Sequence, residues 1–211
     1  MLVRMANDAK DDDGYRKHYE TVASAGTHPV IVQTYNGIGP MPSMKLMIDL
    51  ARRYPRTYGW FKVEGSDKVI SEKMAELVAA QPVVKTVFTG WGGRDWLYQY
   101  RRIGTRGVIS QRPAYAGLFK KVYDLIAGGR DSSDPELAST YAKYLYMINL
   151  GDTFSETDDN MRGPHLYVLQ RLGIFRNRLT RDGKGKVTDF AMTEREKLEV
   201  EQRMRYCGLL K

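Results

Sequence analysis

Short apolar runs alternate with amphipathic stretches through the first half of the chain, and this alternation predicts the fold. The runs are Pro29-Val30-Ile31-Val32, Tyr58-Gly59-Trp60-Phe61-Lys62-Val63, Val83-Val84-Lys85-Thr86-Val87-Phe88 and Gly107-Val108-Ile109-Ser110. Each is short, largely β-branched or aromatic, and bounded by glycine or proline, so each reads as a strand. Between them, Ser43 to Tyr54 places Leu46, Met47, Leu50 and Ala51 on one helical face behind a serine N-cap. Ser66 to Ala80 does the same with Val69, Ile70, Met74, Leu77 and Val78, and Asp95 to Tyr100 predicts a shorter helix. The opening Leu2-Val3-Arg4-Met5, polar Asn7 to Gly14 and a helix from Tyr15 to Ala25 add one more unit.

Strand-helix units of about 25 residues with nearly apolar strands imply parallel pairing, since both faces of such a sheet must be covered. A doubly wound open sheet and a (β/α)₈ barrel both satisfy this. A barrel needs eight strands in about 250 residues, so five units leave three to be expected upstream of Met1. After the helix from Ala114 to Ala127 the strand signals stop. Asp134 to Asn149, Thr157 to Leu172 and Thr193 to Cys207 read as helices, with Pro135 in a first turn and Gly208 as a stop. Gly128-Gly129-Arg130-Asp131-Ser132-Ser133 is a linker by composition. The expected organisation is an α/β fold of TIM-barrel type: a partial (β/α) barrel over 1–128, then a helical region over 129–211.

Composition narrows the class. At 211 residues, 42% hydrophobic and 11% aromatic, the chain can offset its ordering entropy and does not read as disordered. One cysteine, Cys207, excludes a disulfide framework. No apolar run approaches the roughly 20 residues that cross a bilayer, and the start lacks a signal-peptide pattern. The expected compartment is the cytoplasm, with no membrane partner. The net charge of +8 is concentrated after Asn160. There Arg195, Lys197, Arg203 and Arg205 alternate with Glu194, Glu196, Glu199 and Glu201, the pattern of a solvated helix with opposite charges three and four residues apart. Arg171 to Lys186 is expected to be a basic, solubilising loop region. Zinc-finger and RNA-binding signatures are absent, so no nucleic-acid partner is expected.

Lys62 is the main candidate for chemistry. It interrupts an apolar strand near its carboxyl end, where partial desolvation favours the neutral amine. Such an amine attacks carbonyls and forms Schiff bases; a lysine snorkelling out at a strand end is the plainer alternative. Lys85 repeats the pattern nearer its strand's start, where barrel residues serve stability. Tyr35 ends the preceding strand, and its phenol could relay protons beside the lysine or be an ordinary rim tyrosine. In Thr89-Gly90-Trp91-Gly92-Gly93-Arg94-Asp95 the glycines permit close backbone approach to a ligand and Arg94 could meet a carboxylate; a tight strand-to-helix turn explains the run equally well. His18, His28, His165 and Cys207 have no metal-ligand spacing, so no metal is expected. Asn36-Gly37-Ile38-Gly39-Pro40 has two glycines of a dinucleotide fingerprint, but Pro40 and Pro42 break the helix start, and no cofactor is expected.

His28-Pro29-Val30-Ile31-Val32-Gln33-Thr34-Tyr35-Asn36-Gly37, Gly59-Trp60-Phe61-Lys62-Val63-Glu64-Gly65-Ser66-Asp67 and Arg106-Gly107-Val108-Ile109-Ser110, in that order and spacing, resemble the dihydrodipicolinate synthase and N-acetylneuraminate lyase superfamily. Pro164 to Leu172 and Met192 to Leu210 resemble its last two helices. The resemblance implies a (β/α)₈ barrel with a helical appendix, a homo-oligomer, and aldol cleavage, condensation or dehydration of a small-molecule 2-oxo acid through a lysine Schiff base. Lys62 matches the Schiff-base lysine of the family's G-x-K-[E] strand. Tyr35 matches the tyrosine of its Y-N motif, while an alignment without a gap puts Val32 or Gln33 at that place. Thr89 and Gly90 fall at a small-residue turn near bound substrate, and Ile109 falls where a backbone carbonyl faces the pocket. The family's carboxylate-binding Thr-Thr or Ser-Thr motif belongs upstream of Met1. Asn7 stands where a tyrosine is expected, and Gly37-Ile38-Gly39 lacks the arginine of dihydrodipicolinate synthase proper, which disfavours lysine biosynthesis. The expected function is a lyase, aldolase or dehydratase, acting on a 2-oxo or sugar-derived acid. The alternative is a non-catalytic remnant or fragment of such a barrel that binds a small acid or a partner chain.

Overall fold

In a computed structural model of the chain, strands Leu2–Val3 (β1), Ile31–Tyr35 (β2), Trp60–Glu64 (β3), Thr86–Thr89 (β4) and Gly107–Val108 (β5) form one sheet in the order β1-β2-β3-β4-β5. Every neighbouring pair is parallel. The structure describes residues 1–26, 28–35, 40–65, 68–110, 112–131, 133–150, 163–181, 185–189 and 192–211. A sequential order decides between the two expected architectures. Doubly wound sheets reverse their order at a switch point, whereas successive right-handed crossovers in one direction keep every helix on one face, as in a barrel.

The intervening helices are Asp12–Ser24 (α1), Met44–Arg53 (α2), Lys68–Ala79 (α3) and Trp96–Ile103 (α4). Capping sets their starts. The Asp11 carboxylate accepts from the Gly14 N–H at 2.9 Å and the Ser43 hydroxyl accepts from the Leu46 N–H at 3.1 Å. Ser43 is itself fixed by α1, because its N–H donates to Asp12 Oδ1 at 2.8 Å. Val32, Phe61, Val63 and Val87 of the sheet pack with Leu46, Met47 and Leu50 of α2 and Ile70, Met74 and Leu77 of α3. Val69, expected inside, is 56% exposed. Positions 70, 74 and 77 form the i, i+4, i+7 stripe, and 69 lies one helical step outside it.

Strands β2, β3 and β4 begin two or three residues later than their apolar runs. Val84 N–H still donates to Ala80 O at 3.1 Å, in the turn that follows α3, so β4 starts at Thr86 rather than Val83. At the other end of β3, Gly65 has φ +142, and a Cβ there would lie 2.6 Å from Ile70 Cγ1. A glycine is needed for the chain to turn against α3.

The chain divides into two compact units, Met1–Gln111 and Arg112–Lys211. Helix Ala116–Ala127 (α5) packs on Pro135–Ile148 (α6), with the Phe119 and Tyr144 rings 5.3 Å apart. Helices Gly163–Arg171 (α7) and Glu194–Tyr206 (α8) complete the core of the second unit around Tyr115, Met147, Val168 and Met204. The part of the Thr157 to Leu172 helix expected before residue 163 lies outside the described residues.

Strands do not end at Ala127. Leu179–Arg181 (β6), inside the expected basic loop region, and Val187–Asp189 (β7), directly after it, form an antiparallel pair. Three residues each is too short for period-2 patterning to register, and Leu179 and Val187 are both exposed. The charge alternation on α8 does produce the ion pairs Lys197–Glu194 at 2.6 Å and Arg205–Glu201 at 2.9 Å. Arg203, however, is buried, with Nε on Glu199 at 2.8 Å and Nη1 donating to Tyr146 O at 3.3 Å. Among the described residues no helix is long and apolar enough to cross a membrane.

Candidate active site

Residues paired across parallel strands point to the same face, and successive residues to opposite faces. The registers Val32↔Phe61↔Val87 and Thr34↔Val63↔Thr89 thus define the helix-covered face. The registers Ile31↔Trp60↔Thr86 and Gln33↔Lys62↔Phe88, with Tyr35↔Glu64, define the other. On that second face every residue just named is half-buried except Lys62, which is only 5% exposed.

The amine does not stand alone. Lys62 Nζ lies 3.3 Å from Glu64 Oε1, and the carboxylate's other oxygen accepts a hydrogen bond from Gln33 Nε2. Gln33 is the β2 residue in register with Lys62, so the three side chains form one polar cluster across two adjacent strands. Gly90, directly after β4, walls this cluster. Its N–H donates to Val63 O at 3.0 Å, and a Cβ built on it would lie 2.7 Å from both Cβ and Cγ of Glu64 and 3.0 Å from its Cα. The Glu64 side chain occupies the space that any larger residue at 90 would take.

Tyr35, the last residue of β2, is on the face of Lys62 and in register with Glu64, and its backbone N–H is directed at Met5 Sδ, 3.4 Å away. Lys62 and Tyr35 are thus one strand apart, offset by two residues. Thr89 is brought elsewhere. Its side chain lies on the helix-covered face, where Oγ1 donates to Gln99 Oε1 at 2.7 Å beside Thr105, and all three residues are buried. Ile109 follows β5 and its N–H donates to Thr89 O at 3.0 Å, extending the ladder. Arg94 follows the 3₁₀ turn Trp91–Gly93 and is half-buried. The neighbouring Asp95 carboxyl is pushed up by burial, against the pull of the Arg94 charge. Lys85 is exposed, with Nζ donating to Pro55 O at 2.6 Å and lying 4.1 Å from the centre of the Trp60 ring.

Sequence reasoning missed Glu64 and Gln33. The available signal was spacing: Glu64 is two residues from Lys62 on the same strand, hence on its face. Asn36 and Gly37-Ile38-Gly39 lie outside the described residues, and Asn7 is exposed. Among the described residues no three His, Cys, Asp or Glu side chains converge in a way that could hold a metal ion.

No protein-family model matches the chain, and no curated protein matches it. Solved structures do. Dihydrodipicolinate synthase from Thermotoga maritima superposes with a TM-score of 0.74 at 15% identity over 99% of this chain and 66% of that one. A dihydrodipicolinate synthase family protein from Coccidioides immitis gives 0.68 at 21% identity, over 99% and 63%. The prophage protein YagE of E. coli K12, of the dihydrodipicolinic acid synthase family and solved with pyruvate, gives 0.66 at 16% identity, over 99% and 66%. The chain spans just under two thirds of the length of the first of these relatives, 65% of a monomeric dihydrodipicolinate synthase variant at a TM-score of 0.74. At such identities the likeness is one of fold, and what the sequence resembles the coordinates match: the chain has the architecture of part of a dihydrodipicolinate synthase (β/α) barrel.

Proposed function

We propose that the chain carries the condensing lysine of a Schiff-base lyase acting on a 2-oxo acid or a sugar-derived acid. The observation that carries this reading is the buried Lys62 amine on the sheet face opposite the helices, 3.3 Å from Glu64 and one strand from Tyr35. A primary amine at such a place adds to a ketone and, after loss of water, holds the substrate as an iminium that withdraws electrons from the adjacent carbon. Tyr35, at the carboxyl end of β2, is suited to pass a proton to or from a substrate hydroxyl. Thr89 acts through packing on the far side of the sheet, and Gly90 through the room it leaves. Arg94 remains the candidate for a substrate carboxylate, and Ile109 for a backbone contact. The same reading carries a cytoplasmic homo-oligomer that needs no cofactor or metal.

Incubation with pyruvate and borohydride tests it. The expected result is a reduced pyruvate adduct that peptide mapping places on Lys62 and that Lys62→Met abolishes; folded protein without an adduct overturns the reading. Thr89, a candidate for substrate binding, turns to the helix-covered face, which favours a second reading, a non-catalytic remnant or fragment of such a barrel that binds a small acid or a partner chain. That reading requires binding that survives Lys62→Ala.

A further inference from the structure

Resting on the Schiff-base reading, we infer that Glu64 is the acid-base catalyst of imine formation at Lys62. Condensation of a protonated lysine with a ketone carries two protons from nitrogen to oxygen. The ammonium must lose a proton before its nitrogen can attack, and the carbinolamine hydroxyl must gain one before it can leave as water. Glu64 Oε1 contacts the nitrogen that does the chemistry. It takes a proton from Lys62 Nζ, the amine adds to the carbonyl carbon, the carboxyl gives that proton to the forming alkoxide, and the carboxylate then takes a second proton from the carbinolamine nitrogen and delivers it to the hydroxyl. The C–O bond breaks, water departs, and an iminium faces a regenerated carboxylate. Ammonium plus ketone gives iminium plus water, with no other reactant consumed.

Two features fix the carboxylate for this role. Gln33 Nε2 holds its second oxygen, which leaves Oε1 turned to Lys62. Gly90 packs so closely that the Glu64 side chain has little lateral freedom on that side. Glu64 is also half-buried on the face that carries Tyr35, so it is reachable by what binds to Lys62.

The test follows adduct formation with pyruvate in the presence of excess cyanoborohydride, over a range of pyruvate concentrations, in the parent chain, Glu64→Gln and Glu64→Ala. Glutamine keeps the size and the contact with Gln33 and cannot carry the proton. The saturating rate is expected to fall about 100-fold or more in both variants, with little change in the half-saturating concentration, and added formate should restore part of it in Glu64→Ala only. An unchanged saturating rate in the variants overturns the inference. So does a loss expressed only in the half-saturating concentration, or an absence of formate rescue in folded Glu64→Ala. No adduct in the parent chain instead overturns the Schiff-base reading, and this inference with it; an adduct that forms equally fast without Glu64 overturns this inference alone.

Discussion

Replacing Gly90 by alanine tests whether the polar cluster is built by close packing. The backbone at Gly90 has φ −92 and ψ −153, a region open to alanine, so the effect comes from crowding and not from backbone conformation. The added methyl meets Glu64 Cβ and Cγ at 2.7 Å and Cα at 3.0 Å. A new rotamer can move Cγ but not Cβ or Cα, so β3 or the turn after β4 must shift. Over-packing of this kind costs about 1–3 kcal/mol. A loss of about 2 kcal/mol lowers a urea midpoint by about 1 M at a slope of about 2 kcal/mol per M. The assay is equilibrium urea unfolding, in which the midpoint should fall with the slope unchanged. The penalty should shrink in a Glu64→Gly background, where the two nearest atoms are gone, and less so in Glu64→Ala, where Cβ remains; coupling between touching residues is about 0.5–3 kcal/mol. If Gly90→Ala unfolds within about 0.5 kcal/mol of the parent, Glu64 is not wedged against that glycine and the geometry argued above is wrong.

Three further perturbations probe other parts of the molecule. Thr89→Val removes the donor to Gln99 Oε1 in a sealed environment and should cost about 1–3 kcal/mol in unfolding assays, while the rate of adduct formation at Lys62 in the folded protein stays at the parent value. His165, buried and hydrogen-bonded through Nδ1 to the Tyr115 hydroxyl, is held down at about 3 by burial and then by the Arg112 charge. The native state therefore refuses a proton that the unfolded chain accepts below about 6.5, so stability should fall as pH drops through that window, by up to about 1.4 kcal/mol per pH unit; His165→Asn should flatten the slope between about pH 5 and 6.5 relative to the parent. Thr193 and Glu196 form a capping box at the start of α8, with Glu196 N–H on Thr193 Oγ1 at 3.2 Å and Thr193 N–H on Glu196 Oε2 at 2.7 Å. Thr193→Ala should lower stability by about 0.5–2 kcal/mol, seen as a lower urea midpoint.

Strand-helix alternation was legible because it is written in long segments. Ser43 and Asp134 cap the helices that the sequence starts there, and short apolar stretches mark all five parallel strands to within a few residues. What escaped was short or depended on partners distant in sequence. β6 and β7 have three residues each. Lys62 was conspicuous because a charge interrupts an apolar run. Glu64 was not, because it stands at the strand's end beside Gly65, where polar residues are ordinary. Its significance comes from Gln33, 31 residues away in the chain, and from Gly90, directly after the next strand.

Parity along each strand is what separates structure from chemistry in this sheet. Thr34, Val63 and Thr89 occupy one register and face the helices, and each of the three is buried. One position away, Gln33, Lys62 and Phe88 occupy the opposite face, and of these three the lysine is buried and the other two half-buried. A parallel sheet whose helices all lie on one side can carry polar groups only where they are satisfied, and on its second face Lys62, Glu64 and Gln33 satisfy one another. Removing Lys62 alone takes from Glu64 the cation 3.3 Å away, whereas replacing all three side chains removes the two opposite charges together. The triple variant Lys62→Met, Glu64→Leu, Gln33→Leu should therefore unfold at a higher urea midpoint than Lys62→Met alone, although both lack the amine. A triple variant no more stable than the single one would mean that the cluster's groups are satisfied independently, and that the lysine could be lost without cost to its neighbours.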